Sequence, residues 1–124
     1  MDKLVFRAIS AENEIELFLE KFEMFVGVRL PKKYAVGNKV IGVFLQNNLV
    51  GGYMIVVKPP FRSVMFVPDA VKQRDKFFKH EQYEMLEVNG VWISPALKSA
   101  KLQFAVWRLL IRDVFLARKN YVLL

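Results

Sequence analysis

Apolar residues recur along the chain with two different periods, and the switches between them mark out its elements. Leu4 to Ile9 has strand composition and runs into Ser10, whose hydroxyl is placed to accept from the free N–H groups that open a helix. Ile15, Phe18, Leu19, Phe22 and Phe25 then follow at helical spacing and predict one apolar face. Glu12 and Glu14 fall where the positive end of the helix dipole favours carboxylates. Glu16, Glu20 and Glu23 lie off the apolar face and read as a solvated acidic side.

Gly27 to Asn38 holds Pro31 and Gly37 and reads as a loop or a broken second helix. Val40 to Leu45 is a strand, Asn47-Asn48 a turn that tolerates left-handed backbone, and Leu49 to Val57 the antiparallel partner. Gly51-Gly52 inside that partner calls for a bulge or a close backbone approach. Around Pro68 a helix begins and is expected to run toward Gln82, carrying Lys72, Arg74, Lys76 and Lys79 on its surface and turning Phe77-Phe78 to the core.

Tyr83 to Ile93 is the next strand, with strict alternation broken near Asn89-Gly90, as a bulge would break it. Ser99 is placed to cap a long helix from Ala100 to about Arg118. That helix is apolar nearly all round apart from Lys101, Arg108, Arg112 and Lys119, so it is expected to be covered on most sides. Tyr121 to Leu124 closes a strand–helix–strand crossover with parallel strands. The class is α/β, a mixed sheet in a single domain spanning 1–124, with antiparallel strands first and the parallel unit last.

Composition narrows the chemistry. Hydrophobic residues make up 54% of the chain and charged residues 25%, which excludes whole-chain disorder. There is no Cys, so disulfides, thiolate metal sites and a Cys nucleophile are all excluded, and with His80 as the one histidine no metal site is expected. The N-terminus lacks the pattern of a secretory signal, which makes the cytoplasm the expected compartment. Val40 to Val57 is interrupted by Gln46-Asn47-Asn48, so no membrane span is expected.

The formal charge of +7 is uneven. Residues 1–27 hold three basic and six acidic groups, whereas 28–124 hold 16 and six, a surplus that suits an anionic ligand, an acidic protein or a nucleic acid. No nucleic-acid motif stands at a recognised spacing, so that partner is the weakest of the three. Trp92 and Trp107 read as core residues.

Three stretches carry a resemblance. Arg7-Ala8-Ile9-Ser10-Ala11-Glu12 is similar to a first strand entering a first helix. Val43 to Tyr53 is similar to a hairpin whose short polar turn precedes a valine-glycine pair, and Val91-Trp92-Ile93-Ser94-Pro95 to a fourth strand ending on an apolar residue, any residue and proline. Together they resemble the GNAT superfamily, the Gcn5-related N-acetyltransferases, over most of the chain. The family continues past its fifth strand, so the resemblance implies a short member truncated there, with no family tyrosine to protonate the leaving thiolate and a bare last strand open to a protein partner or a second copy.

The resemblance implies an acyl-CoA-dependent N-acyltransferase, most simply acetyl transfer from acetyl-CoA to an amine acceptor by direct attack. The backbone of Val91 and Ile93 would pair with the pantetheine arm. The turn and helix start at Lys98, Ser99, Ala100, Lys101, Leu102 and Gln103 would meet the pyrophosphate, because backbone N–H groups opening a helix hold anions. Lys98 stands where the family has Arg or Gln, and Lys101 and Gln103 stand at its glycine positions. Glu87, in preference to Glu84, would help deprotonate the amine, since only the neutral amine attacks a thioester. His80 is a further candidate base. A different reading stays open, in which the fold is a non-catalytic protein-interaction module using its basic surface or its last strand.

Overall fold

The computed structural model describes residues 3–58, 61–75 and 84–123. Five strands form one sheet in sequence order: β1 (Leu4–Ile9), β2 (Lys39–Leu45), β3 (Asn48–Val56), β4 (Met85–Ile93) and β5 (Tyr121–Leu123). The first four are antiparallel to their neighbours, and β5 runs parallel to β4 over Met85 to Glu87. Helices α1 (Glu12–Val26) and α2 (Lys32–Val36) precede β2, α3 (Asp69–Arg74) follows β3, and α4 (Ala100–Leu116) joins β4 to β5. The expected mixed sheet with a terminal parallel unit is the observed architecture. His80, Lys76, Phe77-Phe78, Lys79 and the expected helix beyond Asp75 lie outside the described residues.

The α1 periodicity does what it predicts: Ile15, Phe18, Leu19 and Phe22 are buried against Ile9, Val40, Met54 and Trp92 on one face of the sheet. Phe25 stays largely exposed and stacks on the Trp92 ring at 5.7 Å. The acidic side of α1 is solvated, with Glu20 and Glu23 exposed, and it also holds two cations. Glu16 takes Arg29 at 2.6 Å and Glu12 takes Lys32, so the stretch leading into α2 is laid along α1 by ion pairs.

Two turn assignments shift. Ala11, not Ser10, is the residue before α1, and no side chain caps it, because the first helical bond runs from Ile15 N–H to the Ala11 carbonyl. Gln46 and Asn47, not Asn47-Asn48, are the two left-handed residues of the hairpin, since Leu45 pairs with Asn48 across it. The glycine pair is required by close approach. A Cβ on Gly52 would stand 2.4 Å from the Ile41 carbonyl and 2.5 Å from the Phe18 ring, and one on Gly51 would stand 2.8 Å from the Trp92 carbonyl.

The opposite face carries α4, which buries Val106 and Leu110 on it. The expectation of a helix covered on most sides is corrected here: Phe104, Trp107, Ile111, Phe115 and Leu116 are exposed, Trp107 at 47% and Phe115 at 81%. Among the described residues the sheet alone covers α4, so only one side of an almost uniformly apolar helix is shielded. Trp92 is core, as expected, and Trp107 is not.

Candidate active site

Strand β4 organises the site. Its Met85 and Leu86 point to opposite faces, into separate apolar clusters. Gly90 then takes a φ of +64°, and the register to β3 shifts between Gly52 and Met54, which is the expected bulge. Beyond it Trp92 joins the α1 side, reversing the facing of even and odd positions. Ser94 N–H bonds the Val50 carbonyl at 2.7 Å, so by antiparallel alternation the peptide groups of Ile93 face the outer edge of β4. Val91 lies at the bulge itself. Among the described residues β5 pairs with β4 no further than Glu87, leaving the outer edge at Val91 and Ile93 without a strand.

The strand leads by a short turn into α4. Ser99 caps the helix, its Oγ accepting from Leu102 N–H at 3.4 Å, while Gln103 N–H bonds the Ser99 carbonyl at 3.0 Å. The amides of Ala100 and Lys101, at the first two helical positions, have no intrahelical acceptor. Lys98, Ser99, Ala100 and Lys101 are exposed around them. Gln103 folds back, its Nε2 donating to the Leu97 carbonyl at 2.7 Å, so this side chain is drawn toward the turn.

Glu87 sits at the last β4–β5 pair and is 1% exposed. Its Oε1 accepts from the Tyr34 hydroxyl, from Arg62 N–H at 3.0 Å and from the Asn89 amide at 3.4 Å. Its Oε2 accepts from Ser63 N–H at 2.5 Å and from the Ser63 hydroxyl. Burial alone raises a carboxyl pKa, but the Ser63 and Tyr34 hydroxyls and the two backbone amides outweigh it and hold Glu87 below its ordinary value. Burial, then the bond to Glu87, pushes Tyr34 up to about 12. The carboxylate is thus ionised, and its lone pairs are taken by protein donors.

Those donors arrive from two places: α2 supplies Tyr34, and the 3₁₀ turn Arg62–Val64 supplies the rest except Asn89. Phe61 and Val64 anchor that turn by packing on Val56 and Met85. Beside it lies a hollow of about 300 Å³ lined by Phe22, Leu30, Arg62, Ser63, Phe66 and Asn89, among others. A second hollow, of about 230 Å³, is lined by Pro31, Lys33, Tyr34, Arg62 and Met65. Tyr34, Arg62 and Ser63 were not legible as site residues, because backbone amides and single hydroxyls have no spacing signature. Glu84 lies one residue before β4, its carbonyl accepting from Tyr121 N–H at 2.9 Å. Among the described residues no group of three His, Asp or Glu side chains is placed to hold a metal ion.

The arrangement of a bulged β4, a parallel β5 and a helix opening just past the β4 end has clear counterparts among solved structures. FeeM, an N-acyl amino acid synthase from uncultured soil microbes, superposes with a TM-score of 0.71 at 15% identity, over 98% of this chain and 70% of that one. The chain has the GNAT fold. A ribosomal-protein-alanine N-acetyltransferase from Brucella melitensis gives a TM-score of 0.54 at 11% identity, over 99% and 78% of the two chains. A GCN5-related N-acetyltransferase from Ralstonia eutropha gives 0.59 at 8%, over 98% and 82%. Neither a protein-family model nor a curated protein sequence matches the chain. The turn from Lys98 to Gln103 follows the end of β4 at Ile93, and Glu87 lies toward the other end of the same strand.

Proposed function

We propose that this GNAT-fold chain is an acyl-CoA-dependent N-acyltransferase. The observation that carries the reading is the continuity of the β4 edge with the start of α4. The peptide groups at Ile93, and those at Val91 beside the bulge, suit an extended pantetheine arm. The free amides of Ala100 and Lys101, with the Lys98 and Lys101 ammonium groups, suit a pyrophosphate. Ser99 and Leu102 fix the turn by their cap bond, and Gln103 braces it through the bond to the Leu97 carbonyl. The cytoplasm is the compartment this reading favours, and acetyl-CoA is its simplest cosubstrate.

The reaction balances without a metal. The neutral amine nitrogen bonds to the thioester carbonyl carbon, the carbon–sulfur bond breaks, and the proton lost by the amine ends on sulfur as free CoA thiol. The Ser63 hydroxyl commits its proton to Glu87, so its lone pairs are left to accept the amine N–H from the adjoining hollow. Glu87 then serves the amine through Ser63, holding that hydroxyl in the accepting orientation. No group among the described residues is assigned to protonate the thiolate, which solvent reaches as the product leaves.

Calorimetric titration with acetyl-CoA and with a longer acyl-CoA tests the reading, beside the Lys98→Ala, Lys101→Ala double variant. The expected result is saturable binding that the double variant weakens by about tenfold or more, since each lysine contributes a charge-assisted bond to phosphate. Free thiol should then appear with an amine acceptor present. A folded protein that binds neither acyl-CoA leaves the other reading, a non-catalytic interaction module. The exposed α4 residues Phe104, Trp107, Ile111 and Phe115 are the observation that favours that alternative.

A further inference from the structure

Among the described residues Arg62 forms no ion pair. Its backbone N–H is fixed on Glu87, and its guanidinium carbon lies 5.9 Å from the centre of the Tyr34 ring. Its Nη1 is buried and has no hydrogen-bond partner among the described residues. The one buried carboxylate nearby, Glu87, is bonded by hydroxyls, backbone amides and Asn89 and by no cationic side chain. Buried donors in folded proteins are nearly always paired, and those of a charged group are the most costly to leave open. The turn that bears Arg62 is pinned on both sides by Phe61 and Val64, so the side chain has a fixed base.

Both hollows share Arg62 in their walls. The larger is lined by the polar Arg62, Ser63 and Asn89 together with apolar residues that include Phe22, Leu30 and Phe66. At about 300 Å³ it stands at the small end of ligand pockets, roughly 300–1,000 Å³, which suits one small molecule better than a peptide chain. We propose that Arg62 anchors the carboxylate of the acceptor, and that the acceptor is a free amino acid with an apolar side chain. The planar guanidinium fork takes a carboxylate through two parallel bonds. In an α-amino acid the amine is one carbon away from that carboxylate, so a carboxylate seated at Arg62 keeps the nitrogen in the hollow that Ser63 also lines. The apolar wall then receives the side chain.

This inference rests on the N-acyltransferase reading, and the test separates the two. The full chain is titrated with L-phenylalanine, with L-phenylalaninamide, with 3-phenylpropionate and with inorganic phosphate, and independently with acetyl-CoA. L-Phenylalanine and 3-phenylpropionate should bind, and the amide should bind at least about tenfold more weakly, the loss of one charge-assisted pair. Arg62→Gln should abolish that preference for carboxylate over amide, and Arg62→Lys should restore it only in part. Should Arg62→Gln fail to fold, the carboxylate-to-amide ratio of the unsubstituted chain decides alone. Equal binding of acid and amide overturns the inference, as does phosphate binding as tightly as the carboxylates. Absence of acetyl-CoA binding overturns the enzyme reading instead, and leaves the carboxylate comparison readable on its own.

Discussion

Replacing Glu87 by Gln tests the reading of its carboxylate as the hub that ties α2 and the 62–64 turn to β4. The substitution keeps the volume and removes the charge, but it also exchanges one acceptor oxygen for a donor. With the NH2 at the Oε1 position it faces Arg62 N–H, and at the Oε2 position it faces Ser63 N–H. Neither orientation escapes a donor against a backbone amide. One charge-assisted bond is lost, roughly 1.5–3 kcal/mol, and one amide is left unpaired, roughly 1–3 kcal/mol. Part of the second loss is recovered because Ser63 is solvent-exposed, so a fall of about 2–4 kcal/mol is expected out of a total of about 5–15.

Urea denaturation followed by tryptophan fluorescence reads this directly, since Trp92 is buried and reports on the core. The slope with urea should be unchanged and the midpoint lowered. The pH dependence follows from the same bonds. Glu87 titrates below its ordinary value of 4.5 in the folded chain, so as pH falls the unfolded chain takes the proton first. The stabilisation from the carboxylate is complete above about 4.5 and drains away as pH drops through the folded value. Glutamine does not titrate, so the gap between the two proteins should narrow below pH 4.5. A Gln variant within about 0.5 kcal/mol of the parent at pH 7, or a gap that widens in acid, would refute the hub.

Gly52→Ala should cost about 1–3 kcal/mol or prevent folding, measured by thermal denaturation, because the new Cβ meets the Ile41 carbonyl of the neighbouring strand as well as the Phe18 ring. Ser99→Ala should lower stability by about 0.5–2 kcal/mol through loss of the α4 cap, whereas Ser10→Ala, which removes no cap bond, should change it by no more than a few tenths. Phe115→Lys should leave urea stability within about 0.5 kcal/mol, since the ring is 81% exposed, and a larger loss would mean that α4 is covered in solution.

What the sequence discloses is what local periods encode. The α1 face, the β2–β3 hairpin, the α2 fragment and the β4 bulge are short-range patterns with a physical cause, and the parallel pairing of β5 follows from the fixed hand of a strand–helix–strand unit. The errors have causes too. Gln46, Asn47 and Asn48 all tolerate left-handed backbone, and only the cross-strand pairing of Leu45 with Asn48 selects the first two. Apolarity around α4 does not say what covers it, so Trp107 reads as core in the sequence and yet, like Phe115, stands exposed. Glu87 stands out as a candidate because it lies on the strand that joins the antiparallel and parallel parts of the sheet. Its partners Ser63 and Tyr34 lie 24 and 53 positions away, and no spacing rule connects a hydroxyl on α2 to a carboxylate on β4.

Eight of the 16 basic residues in 28–124 fall into separate places in the fold. Arg29 and Lys32 are taken by the carboxylates of α1, which fixes the path into α2 and so sets Tyr34 over Glu87. Arg62 lies within the hollows, where its unpaired Nη1 seeks an anion of small size. Lys98 and Lys101 stand at the opening of α4, at the far end of β4 from Glu87, where phosphate charge would be neutralised outside the protein core. Arg108 and Arg112 lie further along α4, and Arg118 follows its end, beyond the site. On the N-acyltransferase reading, Lys98 and Lys101 would serve one anionic end on the turn and Arg62 a second, smaller anion in the hollow. That division is what an acyl-CoA and a carboxylate-bearing amine, meeting along β4, would require.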